Sequence, residues 1–397
     1  MQFQPSERIA EVGQKYLAIQ QEQIKQLKRK GVSIINLGRG NPDQPTFKPI
    51  VDQAKTELNN PINHGYPPYG GNQTLKTSIK SFYKQEYRVD LADDEITVFS
   101  GSTAALTALP MVLANPEDIV LTPTPAFFAY HIGITMSGAG EWQLPLLKEN
   151  NFLPDLDAIP EHILKKSKLL FLNYPHNPTG AGATTAFFNK AVQFGKKHHI
   201  AIIHDFAYAD ISFEQKVPSF LQSPGAKDTG IEIYTFSKTF NMAGWRCAFA
   251  VGNPSIIKLL KQYIQNSVGG TFGTVQNAGG FALLHQKEQR QKLRSRYLTR
   301  RNAALNALKQ CGMHASKSSG TFFIWAKLPD NIYDDKAFAK ELLNYRHVAI
   351  VPGSAFGETG KGYIRISLVS PTQTIIAGIH LLANFANNYQ ESRDLID

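Results

Sequence analysis

Short apolar runs alternate with longer amphipathic stretches between about residues 95 and 252. Mostly apolar runs of this kind are typical of strands that are buried on both faces of a sheet. The stretches between them, such as TAFFNKAVQFGKKHH at 185–199, have the apolar spacing of helices that cover such a sheet. The pattern predicts strands in EITVFS (95–100), DIVLTP (118–123), KLLFLN (168–173), IAIIHD (200–205), IEIYTF (231–236) and CAFAVG (247–252). We therefore expect an α/β fold with a mostly parallel sheet covered by helices.

The pattern changes near residue 254, where a helical region rich in Lys, Arg and Gln begins and runs to about residue 310. Three strand-like segments follow it, GTFFIWAKLP (320–329), VAIVPGSAFG (348–357) and GYIRISLV (362–369). We expect the N-terminal segment to pack with this C-terminal part. The resulting prediction is a large domain over 47–285 and a smaller α+β domain built from 1–46 with 286–397.

Composition and charge narrow the possible functions. At 397 residues the chain is long enough for two domains with their own cores. The net charge of +10 concentrates in KQLKRK (25–30) and RQKLRSRYLTRR (290–301), which look like solvated helix faces without aromatic platforms, so we expect no nucleic-acid partner. No apolar run is long enough for a membrane span, the N-terminus lacks a signal-peptide pattern, and two cysteines make no disulfide framework. We expect a cytoplasmic protein that does not bind membranes.

One apolar run ends at Ser237-Lys238, and a lysine in that position is costly to desolvate. A phosphate-binding loop of the Walker A type would need glycine where Ser237 stands, and LGRGNPD (37–43) has Asp43 where a dinucleotide fingerprint has its third glycine. Motifs for metal sites and serine hydrolases do not occur, so we expect no metal. A sheltered lysine can instead act as an amine nucleophile or Schiff-base partner, which is the chemistry of pyridoxal phosphate (PLP).

The other groups that PLP needs can be sought where predicted strands end. Asp205 ends IAIIHD, and a carboxylate there would keep a pyridine nitrogen protonated, although aspartate is also common in turns. Asn173 and Asn177 follow another strand, where an amide can bind the phenolic oxygen of the ring or simply stabilise a turn.

A phosphate site is predicted where the strand VFS runs into a helix start at Ser102 and Thr103. Free N–H groups and the helix dipole converge on an anion at such a position. Arg246 follows Lys238 by eight residues and can add charged contacts to the same phosphate, or it can form a surface salt bridge.

Several segments together resemble the landmarks of class I and II aminotransferases, which are fold-type I PLP enzymes: SKTFNMAGWR, NYPHNPTG, HDFAY, GYPPYGG, NLGRGNPD and YIRIS. The resemblance runs from about residue 34 to 370. It implies PLP as cofactor, an amino acid and a 2-oxo acid as substrates, ping-pong transamination, and a homodimer with shared active sites.

The resemblance also implies roles for single residues. Lys238 would bind PLP as a Schiff base and act as the catalytic base, while Asp205 would pair with the pyridine nitrogen. Tyr208 and Asn177 would contact the ring oxygen. The implied phosphate ligands are Ser102, Thr103, Ser237 and Arg246.

Further positions follow from the same resemblance. Phe127 would stack on the cofactor ring, with ordinary core packing as the alternative. Arg365 would grip the substrate α-carboxylate beside the backbone of Gly40. Tyr66 would reach the phosphate of the neighbouring subunit.

The substrate is less well defined by the sequence. Arg39 either contacts a substrate carboxylate or pairs with an acidic side chain of the fold. The combined motifs look most like bacterial methionine-salvage transaminases, which convert 4-methylthio-2-oxobutanoate to methionine. The alternatives are a C–S lyase of the cystathionine β-lyase type and an aspartate or aromatic amino acid aminotransferase.

Overall fold

The computed structural model describes residues 1–13 and 16–389. Its strands are β1 (Ile35–Asn36), β2 (Ile96–Phe99), β3 (Ile119–Thr124), β4 (Gly140–Pro145), β5 (Ser167–Asn173), β6 (Ala201–Asp205), β7 (Gly230–Thr235), β8 (Ala248–Gly252), β9 (Phe323–Lys327), β10 (Val348–Ala349), β11 (Val351–Pro352) and β12 (Tyr363–Ser367). Its α-helices are α1 (Glu7–Val12), α2 (Tyr16–Arg29), α3 (Lys48–Glu57), α4 (Gln73–Tyr87), α5 (Ser102–Leu113), α6 (Ala129–Ser137), α7 (Glu161–Leu164), α8 (Thr185–His198), α9 (Ala226–Thr229), α10 (Phe236–Thr239), α11 (Pro254–Asn266), α12 (Gly273–His285), α13 (Lys287–Gln310), α14 (Asp335–Arg346) and α15 (Thr372–Asn387). Within the described ranges, no helix combines the length and apolarity needed to cross a membrane.

The large sheet joins its strands in the order β2-β8-β7-β6-β5-β3-β4. Neighbours from β4 to β7 run parallel, whereas β8 is antiparallel to both β7 and β2. Because parallel strands end at the same edge of a sheet, β5, β6 and β7 bring Asn173, Asp205 and Thr235 together. The predicted α/β class with a mostly parallel sheet is confirmed.

Each of the strands predicted between residues 95 and 252 is present, with ends that differ by at most one residue. Strand β4 was not predicted. It pairs with β3 at the edge of the sheet and most of its residues are exposed, so its sequence GEWQLP lacks the apolar run of a buried strand.

Helix α8 shows how local sequence sets these elements. The Thr184 side chain accepts a hydrogen bond from Phe187 N (3.2 Å) and caps the first turn, and His199 ends the helix in the left-handed region. The buried side of the helix, which includes Phe188 and Val192, joins the core of the large sheet. The amphipathic pattern read from the sequence therefore orients this helix.

The C-terminal part contains an antiparallel sheet in the order β11-β12-β9. Strand β1 pairs in parallel with β10, placing Ile35 opposite Val348, so the N-terminal segment packs here as expected. The buried cluster of this part also includes Tyr208 and Ile211, which follow β6 of the large sheet. The domain boundaries near residues 47 and 285 stay a prediction.

Candidate active site

A cavity of about 180 Å³ lies at the edge where β5, β6 and β7 end. Most residues singled out from the sequence line it: Gly40, Ser102, Thr103, Phe127, Asn177, Asp205, Tyr208, Ser237, Lys238, Arg246 and Arg365. The fold thus gathers groups that are more than 300 positions apart in the chain.

Lys238 does not end the strand itself, because β7 stops at Thr235 and Lys238 lies in the short helix α10. The Thr235 side chain accepts a hydrogen bond from Ser237 N (3.2 Å) and starts this turn. Lys238 Nζ donates to the carbonyl oxygen of Gly40 (2.7 Å). Burial, followed by the positive charge of Arg365, lowers the pKa of Lys238 to about 8. An amine that loses its proton near neutrality suits a nucleophile and a base.

Asp205 is buried at the end of β6. Its Oδ2 accepts a hydrogen bond from the Tyr130 hydroxyl (2.9 Å), and its Oδ1 accepts one from Ala207 N (3.2 Å). Burial raises the pKa of Asp205 to about 6, and the hydrogen bond from Tyr130 opposes this rise. Tyr130 was not among the predicted site residues. Its only signal in the sequence is its position three residues after Phe127, since its partner lies 75 residues away.

A chain of hydrogen bonds connects Asp205 with Arg365. Asn173 Nδ2 donates to the backbone oxygen of Asp205 (2.7 Å), and Asn173 Oδ1 accepts from Asn177 N (2.8 Å). Asn177 Oδ1 in turn accepts from Arg365 Nη1 (2.9 Å), and Arg365 Nη2 donates to Gly38 O (3.2 Å). Among the described atoms, the buried Arg365 Nε has no hydrogen-bond partner.

The first residues of helix α5, Ser102 and Thr103, also line the cavity. No side chain caps this helix, so its first N–H groups are free of such a partner. Gly101 has φ 95°, and a Cβ at this position would collide with the guanidinium of Arg246, which lies across the helix start. The hydroxyl of Ser237 accepts from Thr235 Oγ1 (3.0 Å) and keeps its own proton for another acceptor. Together these donors form an anion site suited to a phosphate.

Aromatic rings also line the cavity. The Phe127 ring packs against Phe128, with 4.4 Å between centroids, and Tyr208 packs edge-on against Phe323 (6.0 Å). Phe323 also lies 3.9 Å from the guanidinium carbon of Arg365, a cation–π contact. Stacking by Phe127 and the contact of Tyr208 with a ring oxygen stay predictions.

Tyr66 and Arg39 lie outside this cavity. Tyr66 is fully exposed in the loop before α4. Arg39 is partly buried and lines a second cavity of about 550 Å³ beside Lys28 and Asn41, and Gly40 lines both cavities. No acidic side chain in the described ranges forms an ion pair with Arg39.

Comparison with known proteins decides the family, because the family described as aminotransferase class I and II matches residues 32–377. The chain belongs to this family. A substrate-bound structure of BacF from Bacillus subtilis superposes with a TM-score of 0.93 at 41% identity, covering 97% of this chain and 98% of that one. The LL-diaminopimelate aminotransferase of Aquifex aeolicus (strain VF5) is 41% identical over 372 residues, 93% of this chain and 96% of the relative. The L-glutamine–4-(methylsulfanyl)-2-oxobutanoate aminotransferase of Bacillus subtilis (strain 168) is 40% identical over 377 residues, 94% of each chain.

Class I and II aminotransferases depend on PLP, so this enzyme is a PLP-dependent aminotransferase acting on amino acids and 2-oxo acids. The cavity fits the cofactor. The helix start with Arg246 suits its phosphate, buried Asp205 suits a ring cation, and the lowered pKa of Lys238 suits an amine that binds an aldehyde. Arg365 lines the same cavity, where its guanidinium is held by Asn177 and Gly38.

Proposed function

We propose that this aminotransferase acts on 4-methylthio-2-oxobutanoate, giving methionine, with glutamine or another amino acid as donor. The observation that carries the proposal is the apolar lining of the cavity by Leu17, Phe128, Phe323 and Phe356, of which the two last-named rings pack against Arg365. A thioether side chain can bury its surface against such a wall. The likeness to the B. subtilis aminotransferase for 4-(methylsulfanyl)-2-oxobutanoate supports the same substrate.

The cations of the cavity argue against a dicarboxylate substrate. The lining cations are Lys238, Arg246 and Arg365, and each has a proposed partner in the cofactor or the α-carboxylate. Arg39, which could have served a second carboxylate, lines the second cavity and is not among the residues that line the first. Among the described residues of the cavity, a side-chain carboxylate would therefore find no further cationic partner, and its desolvation would be unfavourable.

The proposed roles of the residues are those that the family resemblance implies, and the positions of the residues in the cavity support them. Ser102, Thr103, Ser237 and Arg246 would hold the phosphate of PLP. When bound, PLP supplies an electrophilic carbonyl and an electron-withdrawing ring. Asp205 would hold a proton at the ring nitrogen, since its carboxylate ends β6 inside the cavity.

Lys238 and Arg365 would act on the substrate. Arg365 would bind the α-carboxylate, because its guanidinium is fixed by Asn177 and Gly38 and its side chain lines the cavity. Lys238 would carry the cofactor and, once the substrate amine displaces it, take the Cα proton. The pKa of Lys238, about 8, leaves part of the lysine as free amine near neutral pH.

We also infer a homodimer. Apolar side chains on neighbouring loops are exposed, among them Ile62, Tyr66 and Phe272. Gly270 lies against Pro67, which brings the two loops together into one patch. A second copy of the chain would cover the patch, and Tyr66 would then lie at a subunit interface as the family resemblance implies. Light scattering coupled to gel filtration should give twice the chain mass, and Phe272→Asp should reduce it.

The substrate is tested by a panel of amino donors and 2-oxo acids followed at the absorbance bands of the two cofactor forms. We expect 4-methylthio-2-oxobutanoate to give the highest kcat/KM. Preference for LL-diaminopimelate, aspartate or an aromatic amino acid would contradict the proposal.

A second assay separates transamination from C–S bond cleavage. Incubation with cystathionine alone should yield no pyruvate or ammonia. Their release without an oxo-acid acceptor would show a lyase instead.

A further inference from the structure

The basic run at 290–301 lies on helix α13, and its sequence pattern indicates a solvated helix face. That expectation is wrong for three of its arginines, which are buried and form ion pairs. One of them, Arg300, pairs with Asp43 at the end of the segment 37–43. Gly40 of this segment lines the active-site cavity, whereas neither partner of the ion pair does. The ion pair therefore adjoins the site without being part of its lining.

The ion pair between Arg300 and Asp43 is bidentate. Arg300 Nη1 donates to Asp43 Oδ1 and Arg300 Nη2 donates to Asp43 Oδ2, both at 2.9 Å. The two side chains are largely buried, with 7% and 11% of their surface exposed. Burial acts to raise the pKa of Asp43, but the hydrogen bonds from Arg300 and Gln44 outweigh it, so this pKa is lowered. A buried pair of charges with two parallel hydrogen bonds fixes the orientation of both groups.

Arg300 also connects the segment with strand β12. Arg300 Nη1 donates to the carbonyl oxygen of Leu368 (3.0 Å), the residue that follows this strand. At the other end of the segment, Ser367 N donates to the carbonyl oxygen of Leu37 (2.7 Å). Both ends of the segment are thus tied to the strand that carries Arg365.

Two carbonyl oxygens between these ends accept hydrogen bonds from cations of the cavity. Gly38 O accepts from Arg365 Nη2 (3.2 Å), and Gly40 O accepts from Lys238 Nζ (2.7 Å). The side of Gly40 where a Cβ would point is open space, so packing on that side does not hold this residue. The positions of the two oxygens therefore depend on the contacts at the ends of the segment.

We propose that Arg300 is a positioning residue for substrate binding: by holding Asp43 beside the end of β12, it fixes the segment 37–43 and through it the guanidinium of Arg365. Its effect on the substrate rests on the proposed binding of the α-carboxylate by Arg365. Without Arg300, Asp43 would be a buried charge without its cation, and the segment would shift to expose it to water. Gly38 O would then no longer hold Arg365 in its orientation.

Steady-state kinetics with several 2-oxo acids test this role. In Arg300→Gln we expect KM to rise about tenfold while kcat stays within about twofold, because a contact made equally in the bound substrate and the transition state is weakened. The rise should be the same for each 2-oxo acid, since all of them carry the α-carboxylate. An unchanged KM in a folded Arg300→Gln enzyme, or a rise confined to one 2-oxo acid, would overturn the proposal.

Arg301→Gln is the matched control. Arg301 lies on the same helix, is 7% exposed like Arg300 and forms an ion pair with Glu214, away from the segment 37–43. Its replacement should leave KM unchanged, and an equal rise in this variant would show a general effect of losing a buried ion pair.

Hydrogen exchange of the holoenzyme, followed by mass spectrometry, observes the segment without any catalysis. The peptide that covers 37–43 should exchange faster in Arg300→Gln than in the wild type and in Arg301→Gln. Unchanged exchange in Arg300→Gln would refute the positioning role. Failure of the proposed function would look different, because it would change which 2-oxo acid the wild type prefers and leave this exchange as it is.

A second variant covers the case in which Arg300→Gln does not fold. The double variant Asp43→Asn/Arg300→Gln removes both charges, so no buried charge is left unpaired. It should show the same rise in KM and the same faster exchange, and wild-type values of both in this variant would overturn the proposal.

Discussion

Lys238→Met should make the cofactor-free protein more stable at neutral pH. The Lys238 side chain is partly buried in the cavity near Arg365 and Arg246, and burial is the main reason that its pKa is lowered from 10.5 to about 8. Methionine has a similar length and no charge, so it removes this unfavourable burial.

The size of the effect follows from the lowered pKa. A difference of this size between the unfolded and folded states corresponds to about 3 kcal/mol at pH 7. Loss of the hydrogen bond to Gly40 offsets up to about 1 kcal/mol. The net stabilisation expected for Lys238→Met is therefore about 2 kcal/mol.

The dependence on pH has a definite sign. Between the folded pKa of about 8 and the unfolded value of 10.5, the unfolded chain binds more protons, so the stability of the wild type rises with pH. The advantage of Lys238→Met should be greatest below pH 8 and disappear toward the upper end of that window.

Thermal unfolding of both proteins, stripped of cofactor and scanned at several pH values, measures this difference. Lys340→Met, at an exposed position on α14, is the control and should change nothing. The prediction would be refuted if Lys238→Met were no more stable than the wild type at pH 7, or if its advantage stayed constant with pH. Either result would show that the charged lysine does not destabilise the folded protein.

Three further changes test the site. Arg365→Lys should lower kcat/KM about 100-fold or more, because the fixed guanidinium is lost, whereas the control Arg346→Lys on α14 should leave kcat/KM unchanged. Unaltered steady-state kinetics in Arg365→Lys would exclude the proposal that Arg365 binds the substrate α-carboxylate. Tyr130→Phe removes a hydrogen bond that lowers the pKa of Asp205, so this pKa should rise above about 6 and the acidic limb of the pH profile should move upward. Arg39→Gln should leave kcat/KM for 4-methylthio-2-oxobutanoate within about twofold, and a large loss would place Arg39 in the substrate site.

The sequence predicted elements whose signal is local. Strands β5, β6 and β7 are apolar runs buried on both faces, so their positions and the residues that follow them could be read directly. Lys238 was predicted at the end of a strand and lies instead in the short helix α10, which follows strand β7. Edge strand β4 was not predicted, because most of its residues are exposed and its sequence therefore lacks an apolar run.

Contacts between residues that are far apart in the chain could not be predicted from the sequence. Tyr130 and Asp205, or Arg365 and Asn177, are 75 and 188 positions apart, and nothing in either segment specifies its partner. The location of Arg39 depends on how β1 and α2 pack, which determines the cavity that the side chain lines. Such features follow from tertiary structure and not from spacing along the chain.

The pairing of β1 with β10 determines the order in which the molecule can be assembled on the ribosome. Ile35 and Asn36 are made early, yet their partners Val348 and Ala349 are made more than 300 residues later. All strands of the large sheet are synthesised within that interval. At about 5–20 residues per second, the first strand waits at least roughly 15 seconds for its partner. The large sheet can therefore form while the nascent N-terminus is still unpaired, and Gly40 and Arg365 join the active site last.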